Sequence, residues 1–324
     1  MKTTDFCAYP TDWNEEQSLK PILREMQARG IATEVDRSMS VKSKVGLFIG
    51  HQEGNRPALS NCPIVMLHDL GQAHNVWPRF WRKESWGDYD YGLVPNRMWQ
   101  QMHDNFEDPR RKPRHGLRML GWPKSDDAYQ RIAKSPESIF RFKNGRLSVL
   151  YAPSWEFNNQ QDQFLQALAD LPIYIFIKQQ YYEKMGHNKR VEEMADLHRN
   201  RWHNVILLDS KTRIFDVLKY TDCIVSDESS TLVEGAMIGC VPVGISDWKI
   251  PDTQPPRAPS VPFSCVQQMP MAQLRNFIVQ LTNESFFEQQ VKKTLAFEDY
   301  YPPNQGEAAS AFAQFLHERI IEQQ

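Results

Sequence analysis

Two serines that follow a short apolar run are the residues best suited to bind an anion. The apolar run 223–225 leads into Ser-Asp-Glu-Ser-Ser at 226–230, and a pattern of apolar residues at helical spacing follows. A strand that continues through such a turn into a helix presents N–H groups and hydroxyls at the positive end of the helix. The pattern predicts that Ser229 and Ser230 bind phosphate. Their turn context favours this role over that of a nucleophile.

Two histidines follow predicted strands at positions suited to a catalytic base. His68 comes directly after the apolar run 64–67, and His51 follows the run 46–50. In α/β sheets, ligands bind beyond the carboxyl ends of the strands. Histidine titrates near neutral pH and can remove a proton from a hydroxyl. His68 is the leading candidate for the base, with His51 and Gly71 as secondary site residues; a histidine that only holds its loop is the alternative.

Four further residues follow predicted strands or begin a predicted helix. Lys124 and Lys178 can each meet a phosphate as a point charge, although the glycine and proline around Lys124 are also typical of a turn between domains. Glu234 binds a ribose or polyol hydroxyl, or only stabilises the start of its helix. Trp155 packs on a base or sugar, or in the core. The sequence leaves these alternatives open.

Strand-like and helix-like segments alternate along the chain, which predicts parallel βαβ units. The predicted strands are 45–49, 64–67, 91–94, 117–120, 147–151, 173–177, 205–208, 223–225 and 241–244. The predicted helices are 13–29, 98–106, 161–171, 189–200, 213–220, 231–238, 271–281 and 308–321. We expect an α/β protein of two Rossmann-like domains, 1–130 and 131–324, whose parallel sheets face a central cleft. The last helix is expected to cross back to the first domain.

Composition restricts the classes of partner and compartment. The chain has 324 residues, 41% of them hydrophobic, and a formal charge of −2, which gives no reason to expect nucleic acid as a partner. Five cysteines without CxxC spacing indicate a reducing compartment and no zinc site. No apolar run is long enough to span a bilayer. These features predict a cytoplasmic protein. The basic segment 110–118 is interpreted as a solvated face or loop, with a contact to an anionic membrane surface or to a polyanionic acceptor as the alternative.

Five segments, taken in order, resemble motifs of the CDP-glycerol glycerophosphotransferases, which build teichoic acids and related polyol-phosphate polymers. The resemblance spans roughly residues 64–310. The segments are LHDLG at 67–71 (the family's HG element), LGWPKSD at 120–126 (GYPRND), VLYAPSW at 149–155 (LYAPTW), SDESS at 226–230 (TDYSS) and NQGEA at 304–308 (DGKAS).

The resemblance implies a GT-B fold, in which the C-terminal Rossmann-like domain binds most of the nucleotide and the N-terminal domain binds the acceptor. It also implies transfer of a polyol phosphate from a CDP-activated donor, with inversion and without a cofactor or a dedicated metal. Carried over by position, His68 is the general base, Ser229 and Ser230 hold donor phosphate, and Asp227 shapes the turn.

Three positions depart from the family pattern. Lys178-Gln179-Gln180 stands where the family has a basic residue followed by His-Pro, so a second catalytic histidine is missing. Glu228 replaces a tyrosine, and Glu234 stands where aspartate is common. These departures favour a transferase that adds a single unit, or one with a different donor, over a processive polymerase.

The sequence thus predicts an enzyme of cell-surface polysaccharide synthesis that moves a glycerol-phosphate-type group from a CDP-linked donor to a hydroxyl of a glycan or lipid-linked acceptor. One alternative is a glycosyltransferase that uses a nucleotide sugar, or an enzyme similar to UDP-sugar 2-epimerases. A non-catalytic nucleotide-binding protein is a further alternative.

Overall fold

The computed structural model describes residues 3–50, 54–67, 70, 85–135, 139, 141–181, 201–261 and 263–323. Within these residues the chain forms two compact units. Unit 1 comprises residues 1–130 together with 299–324, and unit 2 comprises residues 131–298. Unit 1 is therefore built from two separate stretches of sequence, whereas unit 2 is continuous.

The described strands and helices alternate as the sequence pattern predicts. The strands are β1 (Thr3–Tyr9), β2 (Glu34–Val35), β3 (Lys42–Ile49), β4 (Ser60–Met66), β5 (Tyr91–Val94), β6 (Leu117–Met119), β7 (Ser148–Tyr151), β8 (Tyr174–Ile177), β9 (Val205–Leu207), β10 (Cys223–Ser226), β11 (Val241–Ile245) and β12 (Gln267–Met269). The helices are α1 (Trp13–Ala28), α2 (Arg97–Asp104), α3 (Asp126–Lys134), α4 (Gln160–Leu168), α5 (Ile214–Leu218), α6 (Thr231–Met237), α7 (Met271–Leu281), α8 (Glu284–Leu295) and α9 (Ala308–Glu322). No described helix has both the length and the apolar character needed to cross a membrane.

Among the described residues, each unit contains one parallel six-stranded sheet. The order in unit 1 is β2-β1-β3-β4-β5-β6, and the order in unit 2 is β12-β11-β10-β7-β8-β9. The central strands are buried on both faces, as the run of exclusively buried residues in β7, β10 and β11 shows. This burial explains why they are continuous apolar segments rather than alternating ones. All the strand pairs in both sheets are parallel, so the predicted α/β class is confirmed.

The last helix, α9, belongs to unit 1. Its apolar residues, including Phe312 and Leu316, pack in the same buried cluster as Leu19 and Ile22 of α1. The Asp126 carboxylate accepts hydrogen bonds from the backbone N–H groups of Ala308 and Ala309, at 3.0 and 2.8 Å. A carboxylate at this position satisfies N–H groups that have no partner inside the helix.

The turn between β6 and α3 is shaped by the C-terminal segment. Gly121 has φ +100°, and a Cβ atom there would lie 2.4 Å from the carbonyl oxygen of Pro303. Only glycine fits this close approach. The Asn304 side chain donates to the carbonyl oxygen of Leu120 at 3.1 Å. Two of the segments that carry the family resemblance, 120–126 and 304–308, therefore meet in unit 1.

The structure contains elements that the sequence pattern does not indicate. The sequence pattern predicts no strand before residue 45, yet β1 and β2 form. Strand β1 was not predicted because only its short stretch Phe6–Tyr9 is fully buried. Strand β12 has the sequence Gln-Gln-Met and lies at the edge of its sheet. Helix α8 is also not anticipated. The predicted helix 189–200 lies outside the described residues.

Candidate functional site

The candidate phosphate turn, residues 226–230, follows β10 in the middle of the unit 2 sheet. Strand β10 pairs with β7 on one side and β11 on the other. The segment after β7 lies against the turn, since the Ser226 hydroxyl donates to the carbonyl oxygen of Ala152 at 2.8 Å. Two neighbouring strands thus bring the turn and the Ala-Pro-Ser-Trp segment together at the carboxyl edge of the sheet.

Asp227 is the residue that joins these two segments. It is fully buried, and its carboxylate accepts backbone hydrogen bonds from Ser154 at 2.9 Å and from Trp155 at 3.1 Å. It also accepts from the N–H groups of Glu228 at 2.6 Å and Ser229 at 3.1 Å. Burial raises the pKa of Asp227, and the N–H donors oppose the increase. The side chain fixes the shape of the turn from inside.

These hydrogen bonds to Asp227 reduce the number of backbone N–H groups in the turn that can bind an anion. A strand that runs through a turn into a helix is expected to present free backbone N–H groups, but those of Glu228 and Ser229 donate to Asp227. The N–H of Thr231 donates to the Ser229 hydroxyl oxygen at 3.3 Å. Leu232 N–H donates to the Ser229 carbonyl oxygen at 3.1 Å. The carboxylate of an aspartate early in a turn competes with a ligand for these N–H donors, so fewer of them are free than expected.

Three donors of the turn stay available for a phosphate. The Ser229 hydroxyl accepts one hydrogen bond and keeps its own proton to donate. The Ser230 side chain does not cap helix α6. Its backbone N–H has no acceptor among the described residues. Both serines are half-buried and therefore accessible. A phosphate at this turn would therefore be bound mainly by two neutral hydroxyl groups, and less by backbone N–H groups.

Glu228 does not present a free carboxylate to a ligand. It is 4% exposed and forms an ion pair with Arg257 through two hydrogen bonds, at 2.7 and 2.5 Å. The hydrogen bond to Glu228 is the main cause that raises the pKa of Arg257. The tyrosine that the resembling family has at this position could not make a two-pronged ion pair. Sequence reasoning missed Arg257, which lies 29 residues away from Glu228.

Lys178 is buried, whereas a lysine that binds phosphate at a strand end is expected to be exposed. It is 7% exposed, and its ammonium group donates to the carbonyl oxygen of Ser210 at 3.1 Å. A buried ammonium needs such acceptors to offset the loss of water. The phosphate-binding role of Lys178 stays a prediction, one in which the phosphate would compete with a backbone carbonyl.

A network of polar side chains, buried except for the half-buried Glu156, lies next to Lys178 and was not predicted. The side-chain amide of Gln179 donates to Glu156 at 2.9 Å and to the oxygen of Gln161 at 2.8 Å. The Tyr151 hydroxyl donates to the same Glu156 oxygen at 2.5 Å. Gln179 belongs to the segment in which the family has its second histidine. The amide therefore supports the loops after β7 and β8, and no local sequence signal connects these four residues.

The remaining predicted site residues divide between the units. Glu234 is 2% exposed in the first turn of α6, so it is not an exposed glutamate, and its binding role stays a prediction. Trp155 is half-buried, and its backbone N–H is bound by Asp227. Lys124 lies in unit 1, with its ammonium group 5.1 Å from the centre of the Trp122 ring.

The predicted base and its neighbours fall outside the described residues. These are His68, His51 and Gly71. Leu67, immediately before His68, is 1% exposed and follows β4, a central strand of unit 1. Among the described residues, no cluster of three or more His, Cys, Asp or Glu side chains is placed to hold a metal ion.

Comparison of sequences finds no matching family model and no matching curated protein. Comparison of structures does find matches. The wall teichoic acid polymerase TagF is similar over 99% of this chain and 90% of its own, with 15% identity and a TM-score of 0.66. The UDP-GlcNAc 2-epimerase from Neisseria meningitidis, bound to UDP-GlcNAc, is similar over 98% and 100%, with 11% identity and a TM-score of 0.59. The S. aureus protein MnaA, in a structure with UDP, gives a TM-score of 0.56 at 9% identity over 96% and 94%.

These similarities extend along nearly the whole chain at low identity, and they show the fold. Each unit has the parallel sheet flanked by helices of a Rossmann-like domain, and the chain as a whole has the GT-B fold. The presence of TagF among the similar structures confirms, at the level of the fold, the resemblance drawn from the sequence motifs.

Proposed function

We propose that this protein is a transferase that moves a polyol phosphate of the glycerol-phosphate type from a CDP-activated donor to a hydroxyl of a glycan or lipid-linked acceptor. The observation that carries the proposal is the turn at residues 226–230, which Asp227 ties to the Ala-Pro-Ser-Trp segment while two serine hydroxyls stay accessible. One TagF structure to which the chain is similar was soaked with CDPG.

The chemistry assigned to the site is phosphoryl transfer. The acceptor oxygen forms a new bond to the phosphorus that carries the polyol, and the bond from that phosphorus to the oxygen bridging to CMP breaks. CMP leaves with the bonding electrons, and His68 takes the proton of the acceptor hydroxyl. Ser229 and Ser230 donate to the phosphate oxygens, on which negative charge is concentrated during transfer.

The other predicted residues are proposed to bind or position the donor. Lys178 and Lys124 provide positive charge near the donor phosphates. Glu234 accepts from a ribose or polyol hydroxyl, and Trp155 packs against the base or sugar. No cofactor takes part. Synthesis of a cell-surface polymer and a peripheral contact with the membrane are the setting that such an acceptor implies.

An epimerase is the second candidate, since the structures to which the chain is similar include a UDP-GlcNAc 2-epimerase. Epimerisation needs carboxylates that are free to exchange protons with the sugar. The carboxylates of Asp227 and Glu228 are instead engaged, the first by backbone N–H groups and the second by Arg257. Their use as structural acceptors favours transfer over epimerisation.

A nucleotide panel followed by an acceptor assay tests the proposal. We expect CDP-linked donors to raise the melting temperature of the protein more than UDP, GDP or CMP conjugates, because a ligand stabilises the form that binds it. Addition of an acceptor should then release CMP. Formation of an isomer from UDP-GlcNAc without acceptor would identify an epimerase, and binding of CDP without transfer to any acceptor would identify a non-catalytic protein. If no nucleotide stabilises the chain, the assignment of the site is wrong.

A further inference from the structure

The carboxylate of Glu228 lies beside the candidate phosphate turn, yet the protein itself occupies it. Its two oxygens accept from Arg257 Nη1 at 2.7 Å and Nη2 at 2.5 Å. The backbone N–H of Ser260 adds a third hydrogen bond at 2.7 Å. A planar guanidinium that meets a carboxylate through two parallel hydrogen bonds fixes the orientation of both partners. Glu228 therefore holds a neighbouring loop in place.

Arg257 has no N–H group left for a phosphate. A guanidinium carries five N–H donors. Besides its two bonds to Glu228, Arg257 donates from Nε and Nη2 to Asp252 at 2.9 and 2.7 Å, and from Nη1 to the carbonyl oxygen of Ala258 at 3.2 Å. These five hydrogen bonds use every donor. Arg257 thus cross-links the candidate turn to residues 250–261, which we call the proline-rich loop.

The proline-rich loop is restrained along its length. Proline fixes φ at four of its positions, namely Pro251, Pro255, Pro256 and Pro259. Ile250 and Arg257 form an antiparallel bridge through hydrogen bonds of 2.8 and 3.1 Å. The end of the loop lies close to the turn: a Cβ atom on Gly244 of β11 would be 3.6 Å from the Val261 side chain and 3.5 Å from the Asp227 carbonyl oxygen. The loop and the turn therefore border the same place on the sheet.

We propose that Glu228 and Arg257 are positioning residues that fasten the proline-rich loop beside Ser229 and Ser230, so that the loop forms one wall of the donor site. Glu228 directly precedes Ser229, and a displaced Glu228 carboxylate moves the serine hydroxyl with it. The ion pair thereby acts on donor affinity without touching the donor. This inference rests on the proposed function, because it concerns the same donor site.

Conservative variants of the ion pair test this inference on the full chain. Arg257→Lys keeps the positive charge but loses the planar guanidinium that donates two parallel hydrogen bonds. We expect about a tenfold higher donor KM and Kd, with kcat changed by less than about threefold. Glu228→Gln should act in the same direction. Asp252→Asn removes a partner of Arg257 that does not contact the turn, and we expect a smaller rise of about threefold. A loss of packing alone would lower the melting temperature without this split between KM and kcat.

The matched control is Arg275→Lys. Arg275 also forms a two-pronged ion pair in unit 2, with Asp170 at 2.6 and 2.8 Å. Asp170 follows the end of α4, a helix that begins at the carboxyl edge of the sheet, so the pair lies at the opposite edge from the turn. We expect the donor KM of this variant to equal that of the wild type.

The outcomes separate this inference from the function on which it rests. If the wild type binds no nucleotide of the panel, the proposed function fails and this inference fails with it. If the wild type binds the donor and folded Arg257→Lys binds it with unchanged Kd, the inference alone is overturned. Should Arg257→Lys not fold, Glu228→Gln and Asp252→Asn decide, and an unchanged donor Kd in both overturns it.

Discussion

The carboxylate of Asp227 accepts a hydrogen bond of 2.9 Å from the backbone N–H of Ser154, which lies 73 residues earlier in the chain. The two residues follow neighbouring strands, β10 and β7, and the bond sets the separation of the loops after them. A side chain buried in this way affects the serine hydroxyls without contacting a ligand. Its removal therefore has consequences for both stability and binding.

Asp227→Asn should destabilise unit 2 and weaken donor binding together. The asparagine NH₂ group would face backbone N–H donors, and each buried N–H left without an acceptor costs about 1–3 kcal/mol. We expect a loss of about 2–4 kcal/mol in the free energy of unfolding, measured by urea denaturation. Asp209→Asn is the control: Asp209 is exposed, its carboxylate accepts from Lys211 N–H, and the variant should stay within about 0.5 kcal/mol of the wild type. Equal stabilities for both variants would contradict the role of Asp227.

His68→Ala should reduce turnover while leaving donor binding intact. A general base contributes about 10²–10⁴-fold to the rate, and it acts on the acceptor hydroxyl rather than on the nucleotide. We expect kcat to fall by about that factor with less than about a threefold change in donor Kd, measured by CMP release and calorimetry. His203→Ala, at an exposed position of unit 2, should retain wild-type turnover. Wild-type turnover in His68→Ala would remove the base assignment.

Asp36 should make unit 1 sensitive to acid. Burial raises its pKa, but hydrogen bonds from the Ser38 hydroxyl and from the N–H groups of Val41, Ser40 and Ser38 outweigh burial and lower the pKa to about 2. Because this pKa lies below the usual 3.8, the stabilisation is complete above about pH 4 and is lost as the pH falls through about 2. It amounts to about 2 kcal/mol. Urea titrations between pH 2 and 7 should show this loss in the wild type, and Asp36→Asn should lack it.

Asp126 should make unit 1 less stable as the pH rises, in a higher pH range than that of Asp36. Burial raises its pKa to about 6, although the N–H groups of Ala309 and Ala308 oppose the increase. The folded protein therefore holds this proton more tightly than the unfolded chain, and stability falls as the pH rises from about 4 to about 6. The decrease amounts to about 3 kcal/mol. Asp126→Asn should abolish it in the same titrations, whereas Asp127→Asn, at the neighbouring exposed position, should preserve most of it, because burial raises the pKa of Asp126 more than the charge of Asp127 does.

The regular part of the fold is predictable because each central strand is a short apolar run followed by a turn and a helix. Strand β5 and helix α7 have the predicted bounds, and the turn at residues 226–230 follows its strand as expected. Burial of parallel strands on both faces produces this signal. Strand β1 escapes prediction because its first residues are polar and exposed, and its place in the sheet comes from its pairing with β3.

The polar contacts of the candidate site are less predictable. The pairing of Glu228 with Arg257 joins positions 29 residues apart, and nothing in the sequence around either residue indicates the other. Lys178 looks like an exposed cation at a strand end, but the carbonyl oxygen of Ser210 holds it in a buried position. Such contacts are set by tertiary packing, which periodicity and local propensity do not describe.

Helix α9 makes the folding of unit 1 depend on the last part of the chain. Unit 2 is continuous in sequence, so all of its residues have been synthesised while 299–324 are still to come. Unit 1 completes its core only after Phe312 and Leu316 are available to pack with α1. Domains fold during synthesis once their residues have emerged. Unit 2 can thus complete its core without residues 299–324, whereas a chain truncated before α9 would display an unfinished apolar face on α1.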